Sequence, residues 1–175
     1  MRIATVNVNG IRAAARKGMG EWLTASAPDI LLLQEVRADE RIAADLLPGY
    51  ESAIWPCRIK GRAGVGVAVR EGGPAGLGEL RYGVAAPGTE EPDVDSGRWL
   101  EADLTLTGLD GLERLTIISA YLHSGQLGTE KMDQKYAHLE LVDARMAELL
   151  AAARAGGPQV VMAGDLNVVR SERDI

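Results

Sequence analysis

The run ILLLQE at residues 30–35 decides how this sequence folds. Four consecutive aliphatic residues followed by Gln34 leave no solvent-facing stripe, a pattern typical of a strand that is covered on both faces by other layers. The carboxylate of Glu35 comes directly after the run. The stretch therefore predicts a buried strand in a layered α/β protein, with an acidic residue at its carboxyl end.

The segments on either side of this run show strand and helix patterns. Residues 2–8 (RIATVNV) are β-branched and partly alternate, which indicates a strand that runs into a loop at Asn9 and Gly10. Helical spacing predicts helices at residues 11–26, 41–47 and 132–154, and further strands are expected at 50–55, 63–70, 98–107, 115–122 and 160–163. The Gly- and Pro-rich stretches 71–78 and 86–96 are expected to be surface loops. This order predicts an α/β (α+β) layered sandwich.

Composition limits the class of protein. The chain has 175 residues, of which 46% are hydrophobic and 25% charged, as in one globular domain over residues 1–175. Its one cysteine, Cys57, excludes an internal disulfide and a cysteine-based zinc site. No signal peptide or membrane-spanning run is recognised, so we expect a cytoplasmic protein that does not bind membranes. The net charge of -6 excludes a generic polyanion binder, because such a chain can hold nucleic acid only with a local basic patch or metal ions.

Polar residues gather where the predicted strands end. They are Asn7 and Asn9, Glu35, Tyr121 and His123, and Asp165 and Asn167. Two carboxylates and several carboxamides form a hard, oxygen-only ligand set, which predicts a Mg²⁺ site, with Mn²⁺ as the alternative. Taken singly, the asparagines are also ordinary turn residues, the carboxylates ordinary solvated groups and the tyrosine a sheet-packing residue.

Five motifs in a fixed order strengthen the functional interpretation. They are NVNGIR at 7–12, LQE at 33–35, GVGV at 64–67, YLHSG at 121–125 and GDLN at 164–167. Together they resemble the exonuclease III type AP endonucleases of the exonuclease-endonuclease-phosphatase superfamily. The resemblance implies a four-layered αββα sandwich. It also implies a Mg²⁺-dependent DNA repair enzyme that hydrolyses double-stranded DNA 5′ of abasic sites, with 3′ to 5′ exonuclease and 3′-phosphatase activity.

The resemblance also assigns roles to single residues. Glu35, Asn7 and Asp165 are implied to hold the metal ion. Asp165 is further implied to orient or deprotonate the attacking water, Asn167 to position the phosphate or that water, and Tyr121 to contact the phosphate. These roles are chemically sensible, because a carboxylate is too weak a base to deprotonate water away from a metal ion.

A second group of residues is expected to bind DNA. Its members are Asn9, Arg58, Lys60, Arg62, His123, Lys131 and Lys135. Exposed lysines and arginines are common, so plain solvation is the alternative for the basic members. His123 stands where this family commonly has proline. His138 is expected at the surface and the three tryptophans in the core.

The sequence also departs from the family pattern in one respect. The family continues to a closing Asp-His motif, which this chain lacks, so we expect a C-terminally incomplete domain with an incomplete second sheet. An open strand edge near Val160 and exposed apolar surface should follow. Two alternatives stay open: a superfamily phosphatase or phosphodiesterase acting on inositol phosphates or lipids, and a non-catalytic truncated fragment that binds DNA. The NGIR run at 9–12 and the basic residues at 58–62 favour DNA, and a monomer is expected.

Overall fold

A computed structural model describes residues 1–169 and 171–174 of the chain. Ile175, the end of the predicted domain, lies outside the described residues. The helices are α1 (Ile11–Arg16), α2 (Met19–Ser26), α3 (Glu40–Asp45) and α4 (Glu130–Arg154), with a 3-10 helix at Glu172–Asp174. The strands are β1 (Ile3–Asn7), β2 (Ile30–Gln34), β3 (Tyr50–Trp55), β4 (Val65–Arg70), β5 (Ala75–Tyr82), β6 (Trp99–Leu106), β7 (Arg114–Tyr121) and β8 (Gln159–Asp165).

The strands form two four-stranded sheets, in the orders β1-β2-β4-β3 and β5-β6-β7-β8. β1 and β2 pair in parallel, and so do β7 and β8, whereas the other pairs of described strands are antiparallel. A parallel pair needs a crossover connection, which α1 and α2 provide for the first pair and α4 for the second. The residues that follow the two strands of each parallel pair therefore lie side by side.

The two sheets pack face to face around an apolar inner layer. Leu32 and Val67 of the first sheet and Leu100 and Ile117 of the second are buried in this layer. Because alternate residues of a strand point to opposite faces, the neighbours of these residues face outwards towards the helices.

Helices cover both outer faces of the sandwich. Leu31 packs with Ile11 in an apolar cluster on the outer face of the first sheet. Ile118 packs with Val142 and Leu149 of α4 on the outer face of the second. The predicted four-layered αββα sandwich is confirmed.

Glycines explain two differences between the predicted and observed elements. The helix predicted over residues 11–26 is two helices, because Gly18 takes a left-handed conformation (φ 95°) before α2. The loop predicted at 71–78 is wrong in its second half, where β5 begins at Ala75. The pairing of β5 with β6 is irregular between Leu77 and Leu80, and a Cβ at Gly78 would lie 2.8 Å from the carbonyl oxygen of Asp103. Gly76 and Gly78 therefore belong to a bulged strand rather than to a loop.

Two predictions about burial are wrong. His138, expected at the surface, is 2% exposed, because it lies four residues before Val142 on the inward face of α4. Its ring meets that of His123 edge-on, with the centroids 5.2 Å apart, and neither of its ring nitrogens has a hydrogen-bond partner among the described residues. Trp22, expected in the core, is 41% exposed, because its neighbour Leu23 takes the inward position on α2.

β8 is the last strand of its sheet among the described strands, and its residues after Gln159 are partly exposed. Val168 and Val169, which follow it, are exposed. This agrees with the expected open edge and apolar surface in this region. No helix among residues 1–169 and 171–174 has the length and apolar character that crossing a membrane requires.

Candidate active site

The two parallel strand pairs bring the predicted site residues to one edge of the sandwich. Asn7 is the last residue of β1 and pairs with Gln34, so Glu35 follows beside it. Tyr121, the last residue of β7, pairs with Asp165, the last residue of β8. The site therefore joins two sheets at the carboxyl ends of their central and edge strands, where sites of layered α/β proteins commonly lie.

Asn7 connects the two acidic residues of this site. Its Nδ2 atom donates hydrogen bonds to Glu35 Oε1 and to Asp165 Oδ2, each over 2.8 Å. Its Oδ1 atom accepts a hydrogen bond of 3.0 Å from the backbone N–H of Asn9. Three hydrogen bonds fix the orientation of the Asn7 amide, and the amide in turn holds the two carboxylates towards each other.

Glu35 is held in its ionised form. The residue takes a left-handed conformation (φ 51°), and its carboxylate pairs with the guanidinium group of Arg37. Burial opposes ionisation, but hydrogen bonds from Asn7 and Tyr121 and the charge of Arg37 outweigh it and hold the pKa of Glu35 below its ordinary value. The carboxylate is therefore negatively charged at neutral pH.

Tyr121 is held as a hydrogen-bond donor. Burial is the main cause that raises the pKa of its hydroxyl group, and the hydrogen bond to Glu35 adds to it. The guanidinium carbon of Arg98 lies 5.0 Å from the centroid of the Tyr121 ring, a cation-π arrangement. Arg98 Nε also donates to the carbonyl oxygen of Val94 over 2.7 Å, which ties the guanidinium group to the main chain.

Asp165 and Asn167 form a short turn after β8. The backbone N–H of Asn167 donates to Asp165 Oδ1 over 3.1 Å, and its side-chain Nδ2 donates to the carbonyl oxygen of Leu122 over 2.8 Å. Asn167 takes a left-handed conformation (φ 49°), which asparagine tolerates better than most residues. The Asn167 side chain therefore contacts the main chain that follows β7. The Asp165 carboxylate is oriented by Asn7 on one side and by the Asn167 N–H on the other.

The donor set fits a hard divalent cation. Glu35 and Asp165 offer carboxylate oxygens, and the Nδ2 atom of Asn7 joins the two in one hydrogen-bonded group. Among the described residues no three or more His, Cys, Asp or Glu side chains form a cluster that could hold a metal ion. Mg²⁺ commonly binds through one or two carboxylates and keeps further positions for water and phosphate, so two carboxylates suffice for it.

A positively charged cavity adjoins Tyr121. This cationic cavity, about 330 Å³ in volume, is lined by Arg37, Arg62, Arg98 and Lys131 together with Tyr121 and His123. The sequence patterns did not single out Arg37 or Arg98. Two sequence signals could have identified them. Arg37 is a basic residue two positions after the strand-end carboxylate Glu35, and Arg98 is a basic residue at the start of a buried strand.

The residues predicted to bind DNA lie in different surroundings. Arg62 and Lys131 line the cationic cavity and are exposed, and Lys60 and Asn9 are exposed outside it. Arg58 is paired with acidic residues, at 3.1 Å from Asp93.

The other two predicted contacts have partners within the protein. His123 is buried, and its Nε2 lies 2.6 Å from Asp95 Oδ1. Lys135 donates to the carbonyl oxygen of Asn167 over 2.8 Å.

Comparisons with known proteins agree with the motifs. The family model described as Endonuclease/Exonuclease/phosphatase family matches residues 4–175. DNA repair nuclease APEX1 from Danio rerio is 28% identical in an alignment of 180 positions that covers 100% of this chain and 51% of that protein. An exodeoxyribonuclease from Bacillus subtilis is 27% identical in an alignment of 177 positions that covers 100% of this chain and 62% of that protein.

Solved structures share the fold. The catalytic domain of APE2 from Xenopus laevis superposes with a TM-score of 0.77 at 22% identity, covering 98% of this chain and 60% of that one. An AP endonuclease from Archaeoglobus fulgidus gives a TM-score of 0.74 at 25% identity, covering 100% of this chain and 60% of that one. The chain spans about half the length of the first curated relatives it matches. Because the family model covers nearly the whole chain, and the fold and the order of the motifs agree with it, this chain belongs to the Endonuclease/Exonuclease/phosphatase family.

Proposed function

We propose that the chain carries the hydrolytic site of a Mg²⁺-dependent DNA repair nuclease that cleaves phosphodiesters 5′ of abasic sites. The proposal includes 3′ to 5′ exonuclease and 3′-phosphatase activity on double-stranded DNA. The main observation in its support is that the Asn7 amide holds Glu35 and Asp165 together beside the cationic cavity. The relatives named as a DNA repair nuclease and an exodeoxyribonuclease support this choice of substrate.

The residues divide into a hydrolytic group and a phosphate-binding group. Glu35 and Asp165 would hold Mg²⁺, or Mn²⁺ in its place, and the Asn7 amide orients both carboxylates. A bound cation would supply positive charge that favours the negative charge developing on the phosphate. Asp165 orients the attacking water and receives its proton, because its carboxylate is fixed by Asn7 on one side and by the Asn167 N–H on the other.

The phosphate-binding group neutralises the substrate. Tyr121 presents a protonated hydroxyl group, and Arg37, Arg62, Arg98 and Lys131 surround the neighbouring cavity with positive charge. Since the net charge of the chain is -6, binding depends on this one face. We therefore expect a modest affinity for DNA that falls steeply as salt increases.

The direct test is the incision of a duplex that contains one abasic-site analogue by the purified 175-residue chain, with Mg²⁺ and with EDTA. Incision that needs Mg²⁺ and disappears in Asp165→Asn and Glu35→Gln supports the proposal. The exposed residues Asp143 and Glu51 provide matched controls, and Asp143→Asn and Glu51→Gln should cleave like the parent chain. Full activity in both site variants would refute the proposal.

A second candidate is DNA binding without hydrolysis. Its support is the cationic cavity, where the exposed side chains of Arg62 and Lys131 can contact DNA phosphates without a metal ion. Salt-sensitive binding of the abasic duplex without incision at any Mg²⁺ or Mn²⁺ concentration would favour it. Turnover of a soluble inositol phosphate without DNA incision would instead favour the superfamily phosphatase alternative. The monomeric state and cytoplasmic location remain predictions.

A further inference from the structure

Lys135 lies between the two strand-end segments that form the site. Its Nζ atom donates to the carbonyl oxygen of Asn167 over 2.8 Å and to that of Ser124 over 3.5 Å. Ser124 belongs to the segment after β7, and Asn167 to the segment after β8. One ammonium group, supplied by the first turns of α4, therefore contacts the main chain of both.

The side chain of Lys135 is also packed in place. Gly125 has a left-handed conformation (φ 66°), and a Cβ there would lie 2.9 Å from Lys135 Cδ and 3.2 Å from the sulfur of Met132. The aliphatic part of Lys135 therefore lies directly on the glycine backbone of the YLHSG motif. A lysine confined in this way is not a free surface cation.

The turn that Lys135 holds is fixed by three contacts of Asn167. Asn167 takes a left-handed conformation (φ 49°). Its N–H contacts Asp165, its side chain contacts Leu122, and its carbonyl oxygen contacts Lys135. Lys135 therefore contacts the carbonyl oxygen of Asn167, which Asp165 and Leu122 do not contact.

Lys131 gives a comparison on the same helix. It lies one turn before Lys135, is exposed, and lines the cationic cavity. A phosphate of DNA can reach Lys131, whereas the ammonium group of Lys135 already has two carbonyl partners inside the protein.

We propose that Lys135 is a positioning residue that holds the Asp165–Asn167 turn against the end of β7, and that it is not a DNA phosphate contact. Its effect on turnover rests on the proposed nuclease function. Its effect on the turn does not, so the two can be tested separately.

The first experiment measures backbone hydrogen exchange by mass spectrometry on the full chain. In Lys135→Met, peptides covering residues 122–126 and 164–169 should exchange at least tenfold faster, while Lys131→Met should leave them unchanged. Lys135→Arg keeps a cationic donor and should restore most of the protection, and it carries the test if Lys135→Met does not fold. The proposal would be overturned if a folded Lys135→Met exchanged at the same rate as the parent chain. It would also be overturned if Lys135→Arg were no better protected than Lys135→Met.

The second experiment separates positioning from phosphate contact. Lys131→Met should lower the slope of log binding constant against log salt by about 0.9, the value for one lost phosphate contact, and Lys135→Met should leave it unchanged. In a cleaving enzyme, Lys135→Met should lower kcat about 10- to 100-fold with little change in KM, because the catalytic carboxylate is misplaced. A reduced salt slope in Lys135→Met would overturn the proposal. If the parent chain cleaves nothing, the proposed function fails, and the exchange and salt-slope results still decide the role of Lys135.

Discussion

Gln34 Nε2 lies 3.1 Å from Ser119 Oγ, and this hydrogen bond joins the two sheets inside the core. Ser119 Oγ in turn donates to the carbonyl oxygen of Leu33 over 2.9 Å. Both side chains are at most 1% exposed. Since Gln34 directly precedes Glu35, and Ser119 lies two residues before Tyr121, the bond fixes the relative position of the two halves of the site.

Ser119→Ala should destabilise the protein by about 1–3 kcal/mol, because it removes two buried hydrogen bonds, the one that joins Ser119 to Gln34 Nε2 and the one that it donates to the carbonyl oxygen of Leu33. The free energy of unfolding in urea is the measurement. Thr105→Ala is the matched control, because Thr105 is an exposed hydroxyl residue on the neighbouring strand β6 and its loss should change stability by less than about 0.5 kcal/mol. Equal effects of the two substitutions would mean that the Gln34–Ser119 bond contributes nothing.

Gly164→Ala should be strongly destabilising and should displace Asp165. A Cβ at this position (φ 153°) would overlap the carbonyl oxygen of Ala120 on the paired strand β7. We expect a loss of at least about 2 kcal/mol in urea denaturation, or failure to fold. Gly76→Ala on β5 is the control, since within the described part of the chain a Cβ there meets no atom closer than 4 Å. A Gly164→Ala protein as stable as the parent would show that β7 and β8 can separate without cost.

Stability should fall as the pH drops from about 6.5 to about 4, and His138 should be one cause. Burial lowers the pKa of His138 to about 4 in the folded chain, although the charge of Asp95 opposes this shift. His123 and Arg98, which also act on it, lower the pKa further. The unfolded chain, with an ordinary histidine pKa near 6.5, therefore binds a proton that the folded chain excludes. The stability that neutral His138 contributes is present above about pH 6.5 and is lost by up to about 1.4 kcal/mol per pH unit below it.

His138→Gln removes this titration. Urea unfolding at pH 7 and pH 5 should show a smaller loss of stability in the variant than in the parent chain, whatever its stability at pH 7. Equal losses in both chains would assign the acid sensitivity to other groups.

Arg62→Ala should weaken binding of the abasic duplex more than Arg58→Ala does. Arg62 lines the cationic cavity, whereas Arg58 is already paired with Asp93 at 3.1 Å and with Glu90 at 3.6 Å. Fluorescence anisotropy between 50 and 200 mM salt should show the salt slope reduced by about 0.9 in Arg62→Ala and by less in Arg58→Ala. The reverse order would mean that DNA displaces the acidic partners of Arg58.

Particular residues show how far the sequence alone could go. Glu35 and Asp165 were predicted correctly as strand-end carboxylates, because an apolar run that stops at an acid is a local pattern. β5 was missed, because glycines at a bulge and glycines in a loop give the same local pattern. His138 was placed wrongly, because the helical spacing of residues 139–150 defines an apolar face without showing how far it extends around the helix.

The sequence by itself determined most of the strands and helices, the polar residues at their ends and the family to which the chain belongs. Those features depend on side-chain pattern and motif order within short segments. Only the tertiary structure decided that the Asn7 amide donates to both Glu35 and Asp165. It also decided that Arg37 and Arg98 line the cavity beside Tyr121, and that Lys135 contacts Asn167. These contacts join positions as far as 158 residues apart, and they form because parallel pairing within each sheet and packing between the sheets bring distant strand ends to one edge.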